Sequence, residues 1–219
     1  MEAINADGNT LPLVAARSGS YDVFNLLLKN NATLTFKNPP PTGVGVMHLL
    51  AARGHLAIFQ ETKQKLDKGP IFMQDKYNGT AMHYAAPHGN VKIMKYLKDK
   101  AGFPLSLKDK WGPTALHVAA LNNKVEALKY LIKQGADYNA DSFIGFNIYR
   151  LAEQIGAENI TDYLETKKDI KQSISVSTLQ YITAKLYGSM YSSLCTPSKE
   201  ENELISAVSS DLLDQHLTL

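Results

Sequence analysis

One spacing constrains this chain more than any other feature. A pair of small residues recurs ahead of a turn, and its second member falls at Ala16, Ala51, Ala86 and Ala120, with Glu153 in a fifth, weaker copy. The steps are 35, 35, 34 and 33 residues. The neighbours of each pair recur as well. Thr10-Leu11-Pro12-Leu13-Val14-Ala15-Ala16 opens the first copy and Met47-His48-Leu49-Leu50-Ala51 lies in the second. Thr80-Ala81-Met82-His83-Tyr84-Ala85-Ala86 opens the third, and Thr114-Ala115-Leu116-His117-Val118-Ala119-Ala120 the fourth. Turns follow at Ser18-Gly19, Arg53-Gly54, His88-Gly89 and Asn122-Asn123, each leading into a second apolar segment. In the fourth copy Val125, Leu128, Leu131 and Ile132 fall on one helical face. A unit of this length cannot bury such a face alone, so the copies must stack into a solenoid. The small alanines let neighbouring helices approach closely, and Asn, Gly and Pro between copies supply the turns.

The pattern resembles the ankyrin repeat, with its period of about 33 residues and T-P-L-H-x-A signature. The fourth copy is nearest to it, from Asp109-Lys110-Trp111-Gly112-Pro113-Thr114 through Gly135-Ala136-Asp137-Tyr138-Asn139-Ala140. Departures are local. The first copy reads Thr-Leu-Pro-Leu, the second has Gly45 for the threonine and a poor second helix from Ile58 to Leu66, and the fifth keeps Gly145, Leu151-Ala152 and Gly156. The resemblance implies an all-α ankyrin solenoid. We expect a repeat domain over 1–164, in copies 5–37, 41–68, 74–104, 108–140 and 141–164, and a helical C-terminal extension over 165–219. Prolines lengthen three connections, at Pro39-Pro40-Pro41, Gly69-Pro70 and Gly102-Phe103-Pro104.

In the extension, Leu179, Ile182, Leu186 and Met190 step by 3, 4 and 4, the stripe of an amphipathic helix. Thr196-Pro197 suits a helix start, with Leu204, Val208 and Leu212 as the next stripe. These helices are expected to cap the last repeat, because a terminal repeat needs a polar outer face. The first copy has few extra polar residues for the opposite end. Either the natural chain extends before residue 1, or that cap is imperfect.

Catalytic readings are weak. No G-x-S-x-G, phosphate-binding glycine loop or H-E-x-x-H is present. Cys195 is the one cysteine, which excludes an internal disulfide and a multi-cysteine metal site and suits a reducing compartment. As a nucleophile it has no histidine near it in sequence. His48, His83 and His117 are evenly spaced, yet they occupy the signature histidine, which implies hydrogen bonds to local backbone and to the repeat's threonine. Stacked repeats would hold these rings roughly 10 Å apart, too far to share an ion. We therefore expect no enzyme, no cofactor and no metal. A formal charge of +2 argues against nucleic acid as the partner. No run of 18 apolar residues is present to span a membrane. The start, Met1 to Asp7, lacks the basic and apolar regions of a secretory signal.

A protein partner is the remaining expectation, bound by a cytoplasmic monomer. Aligned on the signature threonine, the hairpin tips carry Tyr77, Trp111 and then Phe143-Ile144. Such an aromatic ladder provides large contact area with few rotamers; alternatively the rings pack on neighbouring hairpins. Ankyrin proteins also bind through the exposed end of each first helix. Carried over by position, this implicates Arg53 and His88 as polar contacts, Leu121 and Ile155 as apolar residues where solvent is expected, and Asn122 beside them. From Lys63 to Lys110, ten lysines face four aspartates, which leaves 10 − 4 = +6 locally. An acidic protein, a phosphoinositide headgroup or nucleic acid could use this charge, but the helix lysines read as a solvated outer face; Lys76 and Lys110 lie at tips and are expected to touch the partner.

Further resemblances bear on biological setting. Asn139 is similar to the hairpin asparagine that asparaginyl hydroxylases modify, although a structural bond across the hairpin suffices to explain it. Glu200-Glu201-Asn202-Glu203, with Leu217 near the end, is similar to the C-terminal signals of bacterial type IV secreted effectors. That similarity implies a host protein as partner and the host cytoplasm as location. An acidic first helical turn is the alternative explanation. Ser177 to Tyr187 is similar to the first helix of a SOCS box, with Thr183 in place of its cysteine and no proline-rich second part. That implies an adaptor recruiting a ubiquitin ligase. A third possibility is the targeting domain of a larger enzyme.

Overall fold

A computed structural model describes residues 5, 8–34, 42–66, 70–142, 146–167, 190–191, 196 and 199. Phe143, Ile144, Gly145 and Cys195 lie outside the described residues. So do Pro197, the Glu200–Glu203 cluster, Leu217, the segment similar to a SOCS box and, except for Met190, the extension's helical stripes.

Ten α-helices are described, arranged as five antiparallel pairs. They are α1 Leu11–Ser18 and α2 Tyr21–Lys29, α3 Val46–Arg53 and α4 Leu56–Lys65, α5 Ala81–Ala85 and α6 Val91–Ala101, α7 Ala115–Leu121 and α8 Val125–Lys133, and α9 Ile148–Gln154 and α10 Glu158–Glu165. A 3-10 turn, Ala86–His88, prolongs α5. First helices lie side by side in the order α1, α3, α5, α7, α9, and α2, α4, α6 and α8 form the second row. This is the all-α solenoid that the resemblance implies. The second copy, for which the pattern predicts a poor helix, forms the ten residues of α4, with Ile58, Phe59 and Thr62 buried.

The alanine pairs explain the close approach. Ala15-Ala16, Ala51-Ala52, Ala85-Ala86 and Ala119-Ala120 are all buried in one continuous core. Between the helices of each pair the chain reverses through a left-handed residue: Gly19, Gly54, Gly89 and Gly156, with Asn123 in the fourth copy. A non-glycine residue pays a steric penalty there, and asparagine tolerates it best. The turn is closed by the same bond in four copies, from Ser20 N–H to Ala15 O, Asn90 to Ala85, Lys124 to Ala119 and Ala157 to Ala152.

Repeats are joined by more than apolar contact. Buried His83 and His117 each lie with Nδ1 beside the hydroxyl of Thr80 or Thr114, at 2.8 and 2.9 Å. The same nitrogen accepts the threonine backbone N–H, at 3.4 and 3.2 Å. In the second copy His48 Nδ1 accepts Gly45 N–H at 3.0 Å, so the helix start survives loss of the threonine. These acceptor roles place the proton on Nε2. Nε2–H then crosses to the following hairpin segment: His48 to Met73 O (3.0 Å), His83 to Pro113 O (3.3 Å) and His117 to Ala140 O (2.9 Å). The predicted local bonds are present. The bond to the next repeat is an addition that the spacing did not reveal.

Burial disfavours the charged rings and pushes His83 and His117 down to about 4, with His48 lowered for the same reason. The unfolded rings titrate near 6.5. Their contribution to stability is therefore complete above pH 6.5 and is lost as pH falls toward 4. At full slope each lowers stability by about 1.4 kcal/mol per pH unit. Buried Asp109 acts in the opposite sense. Desolvation raises its carboxyl to about 6, opposed by bonds from Trp111 and Tyr191. Protonating it between pH 6 and 3.8 restores about 1.4 kcal/mol per unit, half of what His83 and His117 lose together. The urea midpoint is expected to fall steadily between pH 7 and pH 5. A midpoint that stays constant over that range would mean that the rings are not buried neutral.

Candidate protein-binding surface

The hairpins are built by one repeated closure. Asn5 N–H donates to Asn9 O, Asp75 to Gly79, Asp109 to Pro113 and Ser142 to Phe146, at 2.9–3.0 Å. Inside the third and fourth hairpins an aspartate turns back to accept backbone N–H groups. Asp75 Oδ1 takes those of Tyr77 (2.8 Å) and Gly79 (2.7 Å), and Asp109 Oδ1 takes that of Trp111 (2.9 Å). Both carboxylates are buried by this arrangement. It also fixes where the next aromatic residue points. Adjacent hairpins are bonded to each other, Lys76 N–H to Thr42 O at 3.0 Å and Lys110 N–H to Tyr77 O at 2.7 Å.

On this frame Tyr77 and Trp111 stack, with centroids 4.8 Å apart and planes inclined by 29°. Both rings are half-buried. The Lys76 ammonium lies 4.9 Å above the Tyr77 ring, a cation–π contact that orders one edge of the pair. Lys76 and Lys110 are exposed. The sequence offered two explanations for the tip aromatics, projection toward a partner and packing on neighbouring hairpins. Here the rings pack on each other across adjacent hairpins, each covering one face of the other and leaving part of its surface in water.

The first-helix positions are arranged differently. Arg53 is exposed at the end of α3 and donates through Nε (2.9 Å) and its terminal nitrogen to Arg17 O at the end of α1. It thereby ties two helix C-termini together, where a cation is favoured. His88 is also exposed, and its imidazole is held below its ordinary value by desolvation and by the Arg53 and Lys124 charges. Asn122 donates to Val118 O at 2.9 Å, capping its own helix. Leu121 is half-buried against Phe146 and Leu151, and Ile155 is half-buried against the main core. Each of these apolar side chains thus has a packing role within the stack. Asn139 N–H donates to Asp137 Oδ1 at 2.9 Å, a short-range hairpin bond.

The lysine excess divides by location. Lys92, Lys95, Lys98 and Lys100 belong to α6, in the second row, whereas Lys76 and Lys110 are on hairpins. Sequence reasoning overlooked the carboxylates that organise the tips. Their signal was present, because Asp75 and Asp109 each precede the helix-starting threonine by five residues. It also overlooked Tyr191. This side chain of the extension is fully buried against the third and fourth repeats, and its hydroxyl donates to Asp109 Oδ2 at 3.0 Å.

Trp111 is the single tryptophan of the chain, so its emission reports on one hairpin tip. Tyr77→Ala removes the ring that covers one of its faces. The emission maximum is expected to shift to the red while the circular dichroism spectrum stays unchanged. An unshifted maximum would mean that the two rings are not stacked in solution.

Among the described residues no helix is long and apolar enough to cross a membrane. Comparison with curated proteins gives no match. A family model of ankyrin repeats, in three copies, matches residues 12–105 and 47–142, together more than half of the chain. Ankyrin repeats are generally protein–protein interaction modules and are typically non-catalytic. With paired helices, bonded hairpins and the threonine–histidine helix start all in register with that match, the chain belongs to the ankyrin-repeat family.

Proposed function

We propose that the chain is a non-catalytic recognition module whose hairpin tips and first-helix ends dock one partner protein. The observation that carries this reading is the Tyr77–Trp111 stack, a preformed aromatic anchor on adjacent tips with Lys76 over one ring. Rigid, half-exposed aromatics lose little conformational freedom on binding and dominate interface energetics. Phe143 and Ile144 would extend the anchor along the fifth tip. Lys76, Lys110, Arg53 and His88 would orient the partner electrostatically, with Leu121, Asn122 and Ile155 at the margin of the contact. Residues 1–164 form the binding unit in this reading and 165–219 its extension. The charge of the tip lysines suits an acidic protein surface.

The acidic cluster Glu200-Glu201-Asn202-Glu203 adds a setting, a bacterial effector delivered into a host cytoplasm with a host protein as its target. An adaptor whose tail recruits a second protein is the alternative. It predicts that deleting 165–219 abolishes recruitment and spares target binding.

The experiment is affinity purification from eukaryotic lysate with mass spectrometry, using the wild-type chain beside a Tyr77→Ala, Trp111→Ala, Phe143→Ala variant whose folding circular dichroism verifies. A protein retained by wild type and reduced at least about tenfold by the variant identifies the partner and the aromatic anchor; that loss corresponds to about 1.4 kcal/mol. Equal retention by both would reject the tips as the site.

A further inference from the structure

The third and fourth repeats differ in the source of the hydroxyl that meets the hairpin aspartate, and the difference points to a ligand. In repeat three, Asp75 has its Oδ1 held by backbone N–H groups, and Oδ2 accepts the Tyr84 hydroxyl at 2.7 Å. Donor and acceptor belong to the same repeat, nine residues apart. Repeat four repeats the aspartate, as Asp109, but nine residues on it carries Val118, which has no hydroxyl. The hydroxyl on Asp109 Oδ2 comes instead from Tyr191, 82 residues away in the chain, at 3.0 Å.

The surroundings are shaped to that side chain. The Tyr191 ring is fully buried and meets the Tyr84 ring edge-on, with centroids 4.9 Å apart and planes at 85°. It lies nearly parallel to His83, 6.1 Å away at 19°. Gly79 forms the wall beside the hydroxyl. A Cβ built there would stand 2.9 Å from the Tyr191 oxygen and 2.7 Å from Asp75 Oδ2, so any larger residue would close the site. Aromatic floor, missing Cβ and buried acceptor together select a flat ring carrying a terminal donor. The site also adjoins the tip anchor directly, because Asp109 Oδ1 holds the backbone of Trp111 while Oδ2 holds the tyrosine.

We propose that Asp109, Gly79, His83 and Tyr84 form a tyrosine-accepting pocket on the hairpin side of the stack, occupied in cis by Tyr191, so that Tyr191 competes with a tyrosine presented by the partner. The competition with a partner rests on the docking reading given above; occupancy of the pocket by Tyr191 does not. The pocket accepts the free phenol only. A phosphorylated tyrosine would bring a charge of about −1.5 to −2 against two buried carboxylates and a wall without room for the extra atoms.

The test needs no partner. A fluorescein-labelled peptide of residues 188–194, Gly-Ser-Met-Tyr-Ser-Ser-Leu, is titrated by anisotropy against the full wild-type chain and against full-length Tyr191→Ala, with folding verified by circular dichroism. Binding to Tyr191→Ala is expected to be at least about tenfold tighter than to wild type, whose pocket is already filled. Replacing the peptide's tyrosine by phenylalanine is expected to weaken binding by roughly tenfold, since a bond to a charged acceptor is lost, and the phosphotyrosine peptide is expected not to bind. If the alanine chain does not fold, full-length Tyr191→Phe serves instead, because it keeps the ring and loses the hydroxyl; the tyrosine peptide should then bind it more tightly than wild type. Equal binding to wild type and variant, no binding to a folded variant, or equal affinity for the tyrosine and phenylalanine peptides would each overturn the proposal. None of these results alters what the lysate experiment reports about the tips, so the two readings fail separately.

Discussion

A pair of helices this short has apolar surface on both flanks, and water is excluded from that surface only when a neighbouring pair covers it. Every repeat in this chain is consequently a boundary condition for the next. The buried histidines show how strict the condition is. Each ring holds the start of its own helix with one nitrogen and a carbonyl of the following hairpin segment with the other. A buried polar group without its partner costs about 1–3 kcal/mol. A shift of one repeat relative to the next would therefore break the His83–Pro113 and His117–Ala140 bonds as well as misalign the alanine faces. Stacking supplies the energy and the imidazoles supply the register.

The same logic of buried, partnered polar groups builds the hairpin surface. Asp75 and Asp109 are carboxylates taken out of water, which is tolerable because they accept backbone N–H groups and phenolic hydroxyls. What they provide in return is geometry. With the hairpin backbone pinned from inside, Tyr77 and Trp111 stack outside it in a defined arrangement. A surface of this kind is preorganised, and under the proposed docking its ordering on contact would cost little. Tyr191 donates to the same carboxylate, so the interior support of the tip and the partner of Tyr191 are one residue, Asp109.

Period and composition made most of the fold legible. The alanine spacing located α1, α3, α5, α7 and α9, and the glycine turns located the reversals. The threonine–histidine pairs marked helix starts whose local bonds formed as anticipated. The forecast was least accurate at α4, where Gln60, Glu61, Thr62, Lys63 and Gln64 dilute the apolar pattern. Packing between α2 and α6 in the second row, and against α3, holds that helix in place, with only Ile58, Phe59 and Thr62 buried. Of the candidate surface, Tyr77, Trp111, Lys76 and Lys110 were legible as tip residues because alignment on the threonine carries position. The packing of Leu121 on Phe146 and Leu151 was hidden, because an apolar residue at a helix end reads alike whether a partner or the next repeat covers it.

Local sequence by itself determined the repeat unit: where helices begin, where the chain must reverse, which faces are apolar, and that the units must stack. These follow from short-range sterics and from periodicity, which any single copy displays. Tertiary structure alone decided which atoms meet between copies and which distant residue completes them. Val118 in place of a second tyrosine states only that repeat four lacks a hydroxyl at that position. That Tyr191 supplies it depends on two segments 82 residues apart being brought together, a relation set by the packing of the stack and written in no local pattern.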